Sequence, residues 1–133
     1  MVLDVPLGSY GNDMTKLRSI ALYCHTRGYA MAFDDVASPE GLTNLLEAVQ
    51  PAFVKLAPTL GASITTPEGQ ATAKDIIRKA HTFGAKVVAE AVETEEQYKA
   101  YLAAEVDVFQ GYYFGAPMRH PPKNQALLPP AAF

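Results

Sequence analysis

Short apolar runs of four or five residues alternate along this chain with longer stretches whose apolar side chains recur every three or four positions. Nothing else in the sequence restricts the fold as much, because period-two runs and helical periods cannot exchange places. Val2 to Val5 reads as a strand closed by Pro6 and by the turn-forming stretch from Gly8 to Asp13. Asp13 is positioned to cap a helix carrying Met14, Leu17, Ile20, Ala21 and Cys24, with Gly28 as its left-handed terminator. Tyr29 to Phe33 is a continuous apolar run of the kind buried on both faces of a parallel sheet, and it stops at Asp34-Asp35. Ser38-Pro39 offers an N-cap and first turn for a helix with Leu42, Leu45, Leu46 and Val49 on one side, and Pro51 ends it.

The pattern then repeats. Phe53 to Leu56 is a third strand, and Thr66-Pro67 opens a helix carrying Ala73, Ile76, Ile77 and Ala80 that ends before Gly84. Ala85 to Ala89 is a fourth strand running into Glu90, and Thr94 and Gln97 have the spacing of a capping box ahead of Tyr98, Tyr101 and Leu102. Val106 to Phe109 is a fifth strand ending at Gln110-Gly111. Five strands joined by four helices make a βαβ series, so the class is α/β with a parallel sheet. A series of this kind belongs to an open doubly wound sheet or to part of a (β/α)₈ barrel. A whole barrel takes about 250 residues, and this chain has 133.

Composition excludes several function classes. With 11 Lys and Arg against 14 Asp and Glu, the net charge of −3 lacks the basic footprint of a nucleic-acid binder. No apolar run approaches the roughly 20 residues of a membrane span, and one cysteine, Cys24, allows no internal disulfide. The cytoplasm is the expected compartment.

Parallel α/β folds gather their functional groups where strands end. The polar residues obey that rule: Asp34 and Asp35 close the second strand, Glu90 the fourth and Gln110 the fifth, while Lys55 lies in the third and Asp4 in the first. Converging carboxylates suit a hard cation such as Mg²⁺, Mn²⁺ or Ca²⁺. Each residue also has a plainer role. An Asp-Asp pair stabilises turns, an edge lysine faces solvent, and Glu90 and Glu93 straddle a helix start where acids meet the helix dipole. Asp107, Glu95 and Glu96 are expected on the solvated surface, His25, His81 and His120 at surface or C-terminal helix positions with no ligand role, and Tyr112, Tyr113 and Phe114 in packing.

Four blocks occur in an order that resembles the EAL domains of the cyclic-di-GMP phosphodiesterase family. They run from Gly28 through Asp34-Asp35, from Phe53 through Lys55, from Lys86 through Glu90 and Glu93 to Gln97, and from Val108 through Gln110-Gly111-Tyr112 to Pro117. The resemblance implies the C-terminal half of an EAL-type (β/α)₈ barrel over residues 1–118, followed by a Pro-rich tail at 119–133. It implies cyclic di-GMP as ligand and Mg²⁺ or Mn²⁺ as cofactor, with Asp4, Asp34, Asp35 and Glu90 as metal ligands. By the same resemblance Lys55 assists the attacking water with Asp35 beside it, Glu93 steadies the loop behind the Asp pair, and Gln110 lines the ligand site with Asp34 and Lys55.

The departures from the family pattern point to impaired catalysis. The Glu-Ala-Leu signature and the ligand Asn are absent, Asp4 stands where the family has Glu, and Leu7 replaces an acid. The family loop Asp-Asp-Phe-Gly-Thr/Ser-Gly is here Asp34-Asp35-Val36-Ala37-Ser38-Pro39, which exchanges two glycines for a stiffer path. The expected function is therefore cyclic-di-GMP binding or protein contact, with hydrolysis the alternative if a longer parent supplies the missing strands. A receiver-like domain and a pure scaffold are more distant readings. A half barrel also leaves edge strands unpaired, so a homodimer or further domains of a longer protein are the expected partners.

Overall fold

The computed structural model describes residues 1–6 and 13–110, so the expectations at Leu7, at Gly8 to Asn12 and from Gly111 onward lie outside the described residues. Five strands form one sheet in chain order: β1 (Val2–Pro6), β2 (Ala30–Val36), β3 (Phe53–Leu56), β4 (Lys86–Glu90) and β5 (Val108–Gln110). Every neighbouring pair is parallel. Helices α1 (Met14–Arg27), α2 (Leu42–Val49), α3 (Pro67–Thr82) and α4 (Glu95–Ala103) make the crossovers, as the alternation requires. Among the described residues β1 and β5 each pair on one side only. No helix of the described residues is long and apolar enough to cross a membrane.

Register partners in a parallel sheet share a face, and alternate residues on each strand share it too. The face carrying Val5, Met31, Phe33, Val54, Leu56, Val87, Ala89 and Phe109 packs against the helices and forms the core, with Leu17, Leu42, Leu46, Ile76 and Ile77 supplied from the helix side. The opposite face carries Asp4, Ala32, Asp34, Lys55, Val88, Glu90, Val108 and Gln110.

The helix ends follow their sequence signals. Asp13 Oδ1 accepts from the Lys16 amide, Thr66 Oγ1 from the Gly69 amide, and Gly28 ends α1 at φ +72°. Thr94 and Gln97 form a complete capping box. Gly69 meets a stricter demand, since a Cβ there would lie 1.8 Å from the Ser63 carbonyl oxygen.

Four local expectations are corrected. Strand β2 continues through the Asp pair to Val36, because an irregularity after Phe33 brings Val36 back into register with Leu56. Helix α2 starts at Leu42 with Gly41 as N-cap, not at Ser38-Pro39. Ser38 Oγ instead accepts from the Glu40 amide and the Pro39 carbonyl from the Leu42 amide, which closes a turn ahead of the helix. Residues Pro58–Ala62 form a 3₁₀ helix where no element was expected. Strand β5 begins at Val108, because the Val106 amide donates back to the Tyr101 carbonyl.

His81 sits in the last turn of α3, as expected, and Asp107 does more than face solvent. Asp107 Oδ2 accepts from the Val87 amide at 2.7 Å and lies 2.7 Å from His81 Nε2, so one carboxylate ties α3, β4 and the start of β5 together. Tyr101 is the buried residue of α4, set edge-on to Phe109 with ring centroids 6.4 Å apart. Burial pushes its phenol pKa up to about 12.

A phenol whose folded-state pKa lies above its unfolded value contributes stability that is whole below the unfolded pKa and is lost as pH rises toward the folded one. Tyr101 should therefore give a late phase, near pH 12, in an ultraviolet absorbance titration, with a stability loss on the order of 2–3 kcal/mol across that range. Tyr101→Phe should remove that late phase; a late phase left intact in the variant would contradict the buried placement.

Candidate functional site

Three of the singled-out side chains meet directly. Lys55, on β3, is buried; its Nζ donates to Asp4 Oδ2 at 3.1 Å and lies 3.6 Å from Glu90 Oε1. Reaching Asp4 on β1 means crossing β2. The β2 residue opposite Asp4 is Ala32, whose small side chain leaves the crossing open. The lysine thus joins carboxylates from strands on either side of its own.

The remaining candidates gather around this contact to different degrees. Gln110 stands beside Glu90 in register, and Asp34 ends the same face of β2, opposite Pro6. Asp35 is exposed, and its amide donates to Asp34 Oδ1 at 2.9 Å. Glu93 is exposed on the loop after β4, held through its amide rather than its carboxylate.

The electrostatics of Glu90 record the crowding. Burial raises its pKa above the usual carboxylate range, Lys55 pulls it back down, and Asp34 and Asp4 push it up again. Four acids at one strand end carry oxygen donors of the type that hard cations prefer. The geometry does not fit one coordination sphere: among the described residues no three acidic, histidine or cysteine side chains converge closely enough to hold a metal ion. The space between Asp4 and Glu90 is taken by the Lys55 ammonium.

Sequence reading passed over the wider role of Gln97. Beyond the capping box, its Oε1 accepts from the Glu93 and Thr94 amides and its Nε2 donates to the Gly61 carbonyl at 2.8 Å. That side chain fastens the loop after β4, which follows Glu90, to the 3₁₀ helix after β3. The capping half was visible as a three-residue spacing. The Gly61 half joins positions 36 residues apart and leaves no local signal.

Both acid-bearing strand ends bend through left-handed backbone at a residue other than glycine: Asp35 has φ +57° directly after Asp34, and Ala91 has φ +55° directly after Glu90. A left-handed conformation costs a Cβ-bearing residue roughly 1–2 kcal/mol, part of which glycine gives back through its greater freedom in the unfolded chain. Ala91→Gly should therefore raise stability by about 0.5–1 kcal/mol in urea unfolding. A destabilised variant would show that Ala91 makes up for its strain by contacts of its own methyl group.

Comparison with known proteins places this geometry. The sequence profile of the EAL domain matches residues 1–117. The chain is 31% identical over 100 residues to the Escherichia coli (strain K12) protein named probable cyclic di-GMP phosphodiesterase PdeD, covering 74% of this chain and 19% of that one. Among solved structures, Klebsiella pneumoniae BlrP1 in a manganese and cyclic-di-GMP complex superposes with a TM-score of 0.71 at 26% identity, over 83% of this chain and 28% of that one. The FimX EAL domain of Pseudomonas aeruginosa bound to cyclic di-GMP gives a TM-score of 0.75 at 17% identity, over 87% of this chain and 48% of that one, a likeness of fold. This chain therefore spans about a fifth of the curated relative and just under half of a single EAL domain. Its five parallel strands correspond to part of an EAL-type (β/α)₈ barrel, and the chain belongs to the EAL domain family.

Proposed function

We propose that this chain is the ligand-facing half of a cyclic-di-GMP-binding EAL domain with impaired hydrolysis, acting through the bound nucleotide or through contact with a partner protein. One observation carries the reading. By the resemblance, Asp34, Lys55, Glu90 and Gln110 match the family's site, and they share one face of the sheet, while the left-handed turn directly after Asp34 is made by Asp35 without glycine and Asp4 is committed to Lys55.

Each residue has a part in that reading. The Gln110 amide both donates and accepts, as the edge of a guanine base requires. Lys55 and Asp34 line the same wall. Glu93 steadies the loop behind the Asp pair, from a loop of its own whose amides Gln97 holds. The edges of β1 and β5, unpaired among the described residues, make a second copy, or further domains of a longer protein, the expected neighbours.

Hydrolysis is the second reading, and the 31% identity to a protein named as a phosphodiesterase favours it. In a competent site Asp4, Asp34, Asp35 and Glu90 would be oxygen ligands for Mg²⁺ or Mn²⁺, which would activate a water, and Lys55, Asp35 and Glu93 would assist. The described residues do not complete such a metal shell, so hydrolysis is not assigned to this chain.

Isothermal calorimetry with cyclic di-GMP on the full-length protein tests the first reading. Binding is expected, and Gln110→Ala should weaken it about tenfold, the equivalent of roughly 1.4 kcal/mol; absence of binding would overturn the assignment. Chromatography of nucleotides after incubation with Mn²⁺ separates the second reading. Equal, negligible conversion by wild type and Asp34→Asn is expected, and linear dinucleotide formed by wild type alone would establish an active enzyme.

A further inference from the structure

The mismatch between the acids and a metal shell has a specific source. Lys55 Nζ lies 3.1 Å from Asp4 Oδ2 and 3.6 Å from Glu90 Oε1, and the lysine side chain is only 8% exposed. A hard divalent ion coordinates carboxylate oxygens at about 2.0–2.6 Å and needs several of them at once. Two of the four candidate ligands here already face an ammonium. An entering ion would have to share both oxygens with a positive charge at close range, or push a buried stem out from between β1 and β4.

We propose that Lys55 is the resident counter-ion of this strand-end face, and that it holds the space between Asp4 and Glu90 against a divalent cation. The cation of the site is thereby built into β3 instead of being recruited from solution. Among the charged strand residues described, Asp4, Asp34, Asp35, Lys55, Lys86 and Glu90, only Lys55 brings positive charge to that end, since Lys86 opens β4 at the other. The inference rests on the EAL-type reading of the site, but it is read through metal uptake and not through nucleotide binding, so either can fail without the other.

The test is a Mn²⁺ titration of the full chain, with free Mn²⁺ followed by electron paramagnetic resonance. Wild type and Lys55→Arg, which keeps the charge, should take up Mn²⁺ equally weakly. Lys55→Met should bind it about tenfold or more tightly, and adding Asp4→Asn to that variant should cancel the gain. Equal uptake by wild type and Lys55→Met, at whatever level, overturns the proposal. If Lys55→Met loses the wild-type circular dichroism spectrum, nuclear magnetic resonance of the wild type decides. Asp4 and Glu90 amides left sharp by stoichiometric Mn²⁺ support the proposal, and selective broadening of both overturns it.

Discussion

Parallel register is the constraint from which the rest of this structure follows. Because Asp4 pairs with Ala32, Lys55 with Val88 and Glu90 with Gln110, side chains scattered over more than a hundred positions are delivered to one face of the sheet. The same register sends Val5, Phe33, Val54, Val87 and Phe109 to the other face, where the helices bury them. Apolar burial at roughly 25 cal/mol per Å² fixes which face is which, since a slip of one residue would exchange the two. The polar face is thus held in place by the apolar one behind it.

On that face charge does the arranging. Lys55 spans β2 to reach Asp4 and still faces Glu90, so a single ammonium faces acids from β1 and β4. Removing one member of such a group leaves the others uncompensated, and the cost grows with burial. Glu90 registers the imbalance: burial and the neighbouring aspartates keep its pKa raised against the pull of Lys55. The residues directly after the acids add a second constraint, because Asp35 and Ala91 hold left-handed backbone that glycine would adopt at less cost. Gln97 offsets part of this by fastening the loop after β4 to Gly61.

Much of the fold was readable from local pattern. Apolar runs marked all five strands, and Asp13, Thr66 and Thr94 announced their helices, because a cap needs only residues three apart. Misreadings occurred where a long-range partner outvotes local chemistry. Ser38-Pro39 has the composition of a helix start but closes a turn, and β2 runs through two aspartates because Val36 finds Leu56 across the sheet. The site shows the same division. Strand ends named Asp4, Asp34, Lys55, Glu90 and Gln110, whereas the Lys55 bridge, the Gly61 tie and the Asp107 link to Val87 and His81 depend on contacts that no spacing encodes.

The most direct test of Lys55 as the organising cation is a double-mutant cycle in urea unfolding with Asp4→Asn, Lys55→Met and the pair combined. Direct contact at 3.1 Å with a buried lysine predicts a coupling of about 0.5 kcal/mol or more, held to the low end by the partial exposure of Asp4. Strict additivity of the two single changes would contradict the account, since it would mean that the bridge between β1 and β3 carries no energy of its own.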